Sequence, residues 1–469
     1  MRIGLVCDHF PPRAVGGAEW SVAALADLLA PDLERLVVAV TADVAAGRQE
    51  RATLRIERFR PPLGAFSRRG ALRPWALANP WFTLRTAARL CRLGSCERLD
   101  LLHAQAHASL PAAVLAARRL RVPVVATLRD TRTLCEPAVC LHRLERVPAD
   151  CGHAKLVREC ADEFLDRAGA PRGRLRRWRR KAEFSWLWWD NRLRWWCLRR
   201  CDAVVGVSAA ILDVYSGRRI LDPRRSRLAV IRTPPPAPPA DAPGRRRDTR
   251  RRLGLDERPL VLYLGKHSAG KGTATLRRAW EKVAPRFPGA TLMMAGAGHP
   301  AADLPGLRVT GPISHDEALE LALAADVVVS PSVAPEALSR SLVEAAGFGR
   351  PVIGTRAGGT PELVRHGYNG LLAERGDAGS LAGALVDFLG DPHLAADLAR
   401  GQQEVRATFL APAAIRDAHL DLYRSLLGIQ PGSTARPVQA SPGAPAPDPA
   451  TRASECHFRG KSARRKEAS

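Results

Sequence analysis

Two glutamates and two lysines stand where their types and spacing could act on a phosphorylated ligand. Glu336 and Glu344 are eight residues apart in PSVAPEALSRSLVEAAGFGRPVIGTRAGGTPELVRHGYNGLLA, from Pro331 to Ala373. Apolar periodicity places Glu344 inside an amphipathic helix and Glu336 in the loop before it. The loop Ala337–Ser341 leads its backbone N–H groups into the start of that helix. Amides in a first helical turn lack intrahelical partners, and the helix dipole adds partial positive charge, so such a turn holds anions. A carboxylate on each side of it suits a ligand whose hydroxyls flank a diphosphate. Lys266 and Lys271 lie in YLGKHSAGKGT, Tyr263 to Thr273, after a strand and before a helix. Two ammonium groups there would neutralise charge building on a departing diphosphate. Gly265, Gly270 and Lys271 also fit G-x-x-x-x-G-K, but Gly272 takes the Ser/Thr position that would hold magnesium, so the pattern fails as a triphosphatase loop.

Four further places carry weaker signals. Gly16-Gly17-Ala18-Glu19 forms a first loop in which glycines let the backbone approach a ligand closely. Arg129 and Asp130 follow the apolar run VPVVA, as polar groups at a strand end. His103 lies at the end of the strand-like run DLLHA, a place where a lone histidine is more often structural than catalytic. Cys135, Cys140, Cys151 and Cys160 cluster with His142 and His153, but at spacings that match no zinc knuckle, and no metal is assigned.

These residues need a scaffold. With 469 residues the chain is too long for one ordinary core. Apolar runs at IGLVC, LERLVVAVTA, DLLHA and VPVVATL alternate with helical patterns, and Val22, Leu25, Ala26 and Leu29 share one helical face. A second series begins at Pro259 with PLVLYLG, ATLMMAG, GLRVTG, DVVVSPS, PVIGT and NGLLA, and Ser314–Glu317 reads as a capping box. Strands alternating with helices predict parallel, doubly wound sheets. The expected organisation is an N-terminal Rossmann-like domain over 1–232, with a Cys/Trp/Arg-rich insertion over about 131–200. A proline-rich, then basic, linker over 233–258 follows, expected to form no core element. A second Rossmann-like domain spans 259–410, a C-terminal helix 411–427 and a disordered tail 428–469.

The formal charge of +25 would attract nucleic acid, anionic lipid or phosphorylated substrates. No recognised nucleic-acid-binding pattern accompanies it, and nucleic acid is not an expected partner. The ten cysteines lack disulfide-scaffold density, and no apolar run is long enough to span a bilayer. The start MRIGLVCDHF goes straight into a strand, so a cytoplasmic location is expected. The stretch between residues 172 and 202 sets tryptophan against arginine. It reads either as a membrane-interface segment, placing the protein at the inner face of the plasma membrane, or as a helix hairpin with its tryptophans buried.

The ordered set of Glu336, Glu344, the GGTPE turn and the lysine-bearing loop resembles family 4 glycosyltransferases of the GT-B fold, over most of residues 1–425. The resemblance implies two Rossmann-like domains facing each other across a cleft. It implies a retaining transfer of a hexosyl unit from a UDP- or GDP-linked sugar, a donor substrate with no separate cofactor, to a glycan or lipid-linked acceptor in cell-surface glycan or polysaccharide synthesis. Glu344 would hold the ribose hydroxyls and Glu336 the transferred sugar. The amides around Leu338, Ser339, Arg340 and Ser341 would hold the diphosphate. Gly16 and Gly17 would face the diphosphate and acceptor. The family usually carries Arg at the position of Lys266 and often His at that of Arg129. His103 matches the first histidine of a family pair whose second is Gln105 here, and Arg129 and His103 would contact the substrate. A non-catalytic binding protein on the same scaffold is the alternative, because fold does not dictate function.

Overall fold

The computed structural model describes residues 1–13, 16–43, 46–60, 78–135, 151–162, 173–298 and 303–430. The N-terminal lobe is built on β1 (Arg2–Cys7), β2 (Arg35–Val40), β3 (Gly47–Arg51), β4 (Leu54–Arg58), β5 (Leu101–Ala104), β6 (Val124–Leu128), β7 (Ala203–Gly206) and β8 (Arg227–Val230). Their order in the sheet is β3-β4-β2-β1-β5-β6-β7-β8, and β3 runs antiparallel at the edge while the rest are parallel. The C-terminal lobe carries β9 (Leu260–Leu264), β10 (Thr291–Ala295), β11 (Leu307–Gly311), β12 (Val327–Ser330), β13 (Val352–Thr355) and β14 (Gly370–Ala373). Its all-parallel order is β11-β10-β9-β12-β13-β14. The central strands are buried along nearly their whole length because helices cover both faces.

In each sheet the chain winds outward from the middle in both directions. The reversal falls between β1 and β5 in one lobe and between β9 and β12 in the other. Crevices open at the carboxyl ends of strands at such points, where loops leaving neighbouring strands diverge. The Gly16–Gly17 loop follows β1, the lysine loop follows β9, and the Glu336 loop follows β12. The two-domain expectation therefore holds, and each predicted loop sits at the crevice of its own lobe.

Two helices and three strands differ from the sequence reading. The segment expected to be a bare linker contains a helix, Ala242–Arg252, started by Asp241, whose carboxylate accepts from Gly244 N–H at 3.0 Å. Its arginines close the carboxyl end of the helix His315–Ala324. Arg246 donates to the carbonyls of Leu323, Ala324 and Ala325, and Arg250, itself buried, donates to Ala324 and to Asp326. Guanidinium groups satisfy terminal carbonyls and oppose the negative helix end, so a basic run became a docked element. The Trp/Arg stretch forms one helix, Arg174–Leu198, rather than a hairpin, with Trp178 and Trp189 exposed. The strands β3, β4 and β8 escaped prediction because charged residues interrupt their apolar runs; Arg55 and Arg58 are buried yet paired, with Glu97 and Asp43.

The predicted C-terminal helix is present at Pro412–Leu426, and it returns to the first lobe. Ile415, Leu420, Leu422 and Tyr423 pack into the same apolar cluster as Ile3, Leu5, Val38 and Leu101. The expected disordered tail beyond residue 430 lies outside the described residues.

Candidate active site between the lobes

The site begins with loops that lock together. Gly270 C=O accepts from both Val333 N–H and Ala334 N–H at 2.9 Å, tying the lysine loop to the Glu336 loop. Gly272 has φ +69°, and a Cβ there would lie 1.8 Å from the Pro331 carbonyl oxygen, so glycine is required. On the other side Gly359 N–H donates to Glu336 C=O at 2.8 Å. Gly358 (φ +53°) presses so close that a Cβ would meet the same oxygen at 1.8 Å. Loops from three adjacent strands thus hold residue 336 at the crevice.

Held in this way, Glu336 meets Lys271: the ammonium contacts Oε1 directly, and Ser332 Oγ donates to the same oxygen at 2.6 Å. Beneath them Tyr263 donates from its hydroxyl to Lys266 C=O at 2.7 Å; burial first, and then the Glu336 charge, raise its pKa. Lys266 itself is exposed, and its ammonium makes no ion pair with a described residue.

The helix Arg340–Gly347 starts beside this cluster. Ser339 stands at its N-cap, but its hydroxyl does not cap it; it lies 3.0 Å from Ser341 Oγ. The first intrahelical bond is Val343 N–H to Ser339 C=O at 3.1 Å, so the amides of Arg340, Ser341 and Leu342 form the open turn. Leu338 packs its side chain into apolar clusters of both lobes. Glu344 is buried, with Arg340 Nε donating to Oε1 at 2.8 Å and His315 Nε2 3.9 Å away. Burial lowers the His315 pKa more than the Glu344 charge raises it.

The other lobe closes on the same turn. A Cβ on Gly17 would lie 2.9 Å from Arg340 Cβ, so the first-loop glycine allows contact across the groove. Gly16 N–H donates to Glu19 Oε2 at 2.9 Å. Trp20 stacks on His315, ring centroids 3.9 Å apart and planes 16° from parallel. Arg340 Nη1 donates to Pro234 C=O at 2.8 Å. Glu362, of the GGTPE turn, accepts from Ala209 N–H at 3.0 Å and Ala210 N–H at 2.8 Å, at the start of helix Ala209–Ser216 in the opposite lobe.

Arg129 donates from Nη1 to Gln105 C=O at 3.2 Å. Its pKa falls to about 10, chiefly through burial and with a contribution from Arg340, so it remains a cation at neutral pH. Arg129 thus adds a cation close to Arg340, while Lys271 and Arg340 are each paired with a glutamate, Glu336 and Glu344.

His103 is not part of this groove, which corrects the expectation that it contacts substrate. It is fully buried, and both ring nitrogens are engaged at 2.7 Å, Nδ1 with Tyr423 OH and Nε2 with Thr127 Oγ1. Among the described residues no group of His, Cys, Asp and Glu gathers into a metal site. Cys135 and Cys160 share an apolar cluster with Leu156 and Phe184, and Cys140 and His142 lie outside the described residues.

Two family models match in tandem. The one described as "Glycosyltransferase Family 4" covers residues 15–234, and that described as "Glycosyl transferases group 1" covers 258–391. The chain belongs to glycosyltransferase family 4. This family 4 chain is 29% identical over 197 residues to alpha-D-kanosaminyltransferase of Streptomyces kanamyceticus, covering 40% of this chain and 51% of that protein. It is 30% identical over 165 residues to a GDP-mannose-dependent alpha-(1-6)-phosphatidylinositol monomannoside mannosyltransferase of Mycobacterium tuberculosis, 32% of this chain and 43% of the other. The chain thus spans about half the length of the curated relatives it matches. In fold it is similar to HepE of Anabaena, solved with UDP and glucose, at TM-score 0.61, 18% identity, 91% of this chain and 100% of that one. It is also similar to sucrose-phosphate synthase of Thermosynechococcus elongatus, at TM-score 0.66, 20% identity, 91% and 99% coverage.

Sequence reading of the family 4 site missed Ser332, Trp20, His315 and Glu362. Ser332 and Glu362 stand inside the quoted Pro331–Ala373 stretch, but nothing in their spacing shows what they touch. Trp20 and His315 are too far apart in sequence for any local pattern to pair them.

Proposed function

We propose that this protein transfers a hexosyl unit from a UDP- or GDP-linked sugar to an acceptor hydroxyl, with retention at the anomeric carbon. The observation that carries the reading is the Lys271–Glu336 contact beside an uncapped helix turn, in a groove where both sheets reverse. The relatives' names support a nucleotide-sugar donor: one is GDP-mannose-dependent, and a fold neighbour was solved with UDP and glucose.

The diphosphate lies over the amides of Arg340, Ser341 and Leu342, with Lys271 and Lys266 beside its outer oxygens. As the bond from the anomeric carbon to the phosphate oxygen breaks, negative charge grows on the diphosphate, and these fixed donors stabilise it. The acceptor oxygen bonds to the same face of the sugar, and its proton passes to a diphosphate oxygen. Glu336 holds sugar hydroxyls and Glu344 the ribose. Closure of the lobes, through Gly17 on Arg340 and Glu362 on the Ala209 turn, excludes water that would otherwise hydrolyse the donor. The acceptor is a glycan or lipid-linked glycan of surface polysaccharide synthesis, met at the cytoplasmic face of the membrane; one relative's name carries a phosphatidylinositol acceptor.

Incubating the protein with UDP- and GDP-sugars and an acceptor panel tests this, with diphosphate release and the product's anomeric configuration read by NMR. Retained configuration with one donor class supports the reading. Saturable donor binding without product across the panel would favour the binding-protein alternative.

A further inference from the structure

The helix Arg174–Leu198 has two opposite ordered faces. Phe184, Leu187, Asn191, Arg194 and Leu198 are buried at alternating spacings of three and four, the periodicity of one helical stripe. Leu175, Trp178, Ala182, Trp186, Trp189, Leu193 and Trp196 recur at the same spacings and are all exposed. The two stripes are offset by two residues, about 200° around the helix, so the second points away from the protein. Trp178 is 68% exposed and Trp189 62%. The patch continues onto the helix Pro80–Glu97, where Trp81 and Leu84 are exposed, because Trp186 Nε1–H donates to Ala78 C=O at that helix's start.

A soluble protein does not ordinarily leave so long an aromatic stripe uncovered. The charges around it are one-sided. Arg174, Arg179 and Arg192 are exposed on the same helix, Arg199 and Arg200 follow it, and Arg85 and Arg92 lie on the neighbouring helix. The acids of the helix are engaged: Glu183 pairs with Arg180, and Asp190 with Arg194. Arg192 lies over the rings of Trp188 and Trp195, at 4.5 and 4.2 Å, and Arg200 over Trp196 at 3.5 Å. Indole rings favour the headgroup boundary of a bilayer, and guanidinium groups meet anionic headgroups there. No described helix is long and apolar enough to cross a membrane, so such a stripe would lie in the plane of the surface.

We propose that this face seats the protein on an anionic lipid bilayer, with the indoles of Trp178, Trp186, Trp189 and Trp196 inserted at headgroup depth. The helix's 25 residues span about 37 Å and end at Leu198, just before β7. The attachment does not depend on the transfer reaction: donor binding is measured without lipid, and lipid binding without donor.

The test is flotation of the full chain with phosphatidylcholine vesicles, with and without phosphatidylglycerol, alongside the W178S/W189S variant. Both residues are exposed and outside the groove, so donor binding in lipid-free solution should not change. Partition onto anionic vesicles, weakened by salt and falling about tenfold or more in the variant, supports the proposal. Quenching of tryptophan emission by brominated acyl chains supports insertion. Equal partition of the two proteins overturns it. So does a lipid-independent dimer that the variant dissociates, or binding to single-stranded RNA in place of vesicles.

Discussion

Lys271 and Glu336 are in contact although 65 residues separate them in the chain. Neither is held by its own helix; both are delivered by loops that share the Gly270 carbonyl as an anchor. Lys271→Ala is expected to lower turnover about a hundredfold or more, because a fixed charge is lost where the leaving diphosphate develops its own. Glu336→Gln should also depress turnover while leaving the fold intact by circular dichroism. A folded Lys271→Ala protein with unchanged turnover would remove the residue from the mechanism.

Glu344 and Arg340 should separate binding from stability. Glu344→Gln is expected to weaken nucleotide affinity roughly tenfold to a hundredfold, the effect of losing a charged hydrogen bond to the ligand. Arg340→Met instead leaves a buried carboxylate without its main partner, and unfolding in urea should show a loss of about 3 kcal/mol or more. Similar stability of the Arg340→Met and native proteins would mean that His315 alone suffices for Glu344.

Glu362 joins the lobes by accepting from the first amides of the Ala209 helix. Its replacement by alanine removes a cap worth roughly 1 kcal/mol. The expected result in X-ray scattering is a larger radius of gyration without donor, restored when donor is added. An unchanged radius would place the closing force elsewhere, for example in the Trp20–His315 stack.

His419 of the C-terminal helix and His103 beneath it set a pH dependence. Burial lowers the His419 pKa from its ordinary 6.5 to about 4, and His103 beside it is lowered as well. Between those values the unfolded chain binds a proton that the folded chain refuses, so stability rises with pH through that window. Stability should be complete above about pH 6.5 and fall as the pH drops toward 4, by on the order of 3 kcal/mol from His419 alone. Urea titrations at several pH values read this directly, and His419→Leu should flatten the slope. A native protein whose midpoint does not move between pH 7 and pH 5 contradicts the assignment.

Much of the fold was legible because strands buried on both faces read as apolar runs, and because Gly272, Gly358 and Gly359 mark turns that tolerate no side chain. The Lys271 and Glu336 loops were legible for the same reason. What was hidden depends on partners far away in sequence. The spacing that flagged His103 cannot show that Thr127 and Tyr423 occupy both its nitrogens. The basic run after Asp241 looked solvated until the open carbonyls of Leu323–Ala325 came beside it. Tryptophans of Arg174–Leu198 on both sides of the helix gave no way to tell which faced outward until the buried stripe was placed.

The most direct measurement is calorimetric titration of UDP- and GDP-linked sugars into the full chain and into Lys271→Ala. Saturable binding of one nucleotide class to the native protein, weakened at least about tenfold by the substitution, is the expected result. No binding of either class, or equal binding to both proteins, would contradict a diphosphate held between Lys271 and the Arg340 turn.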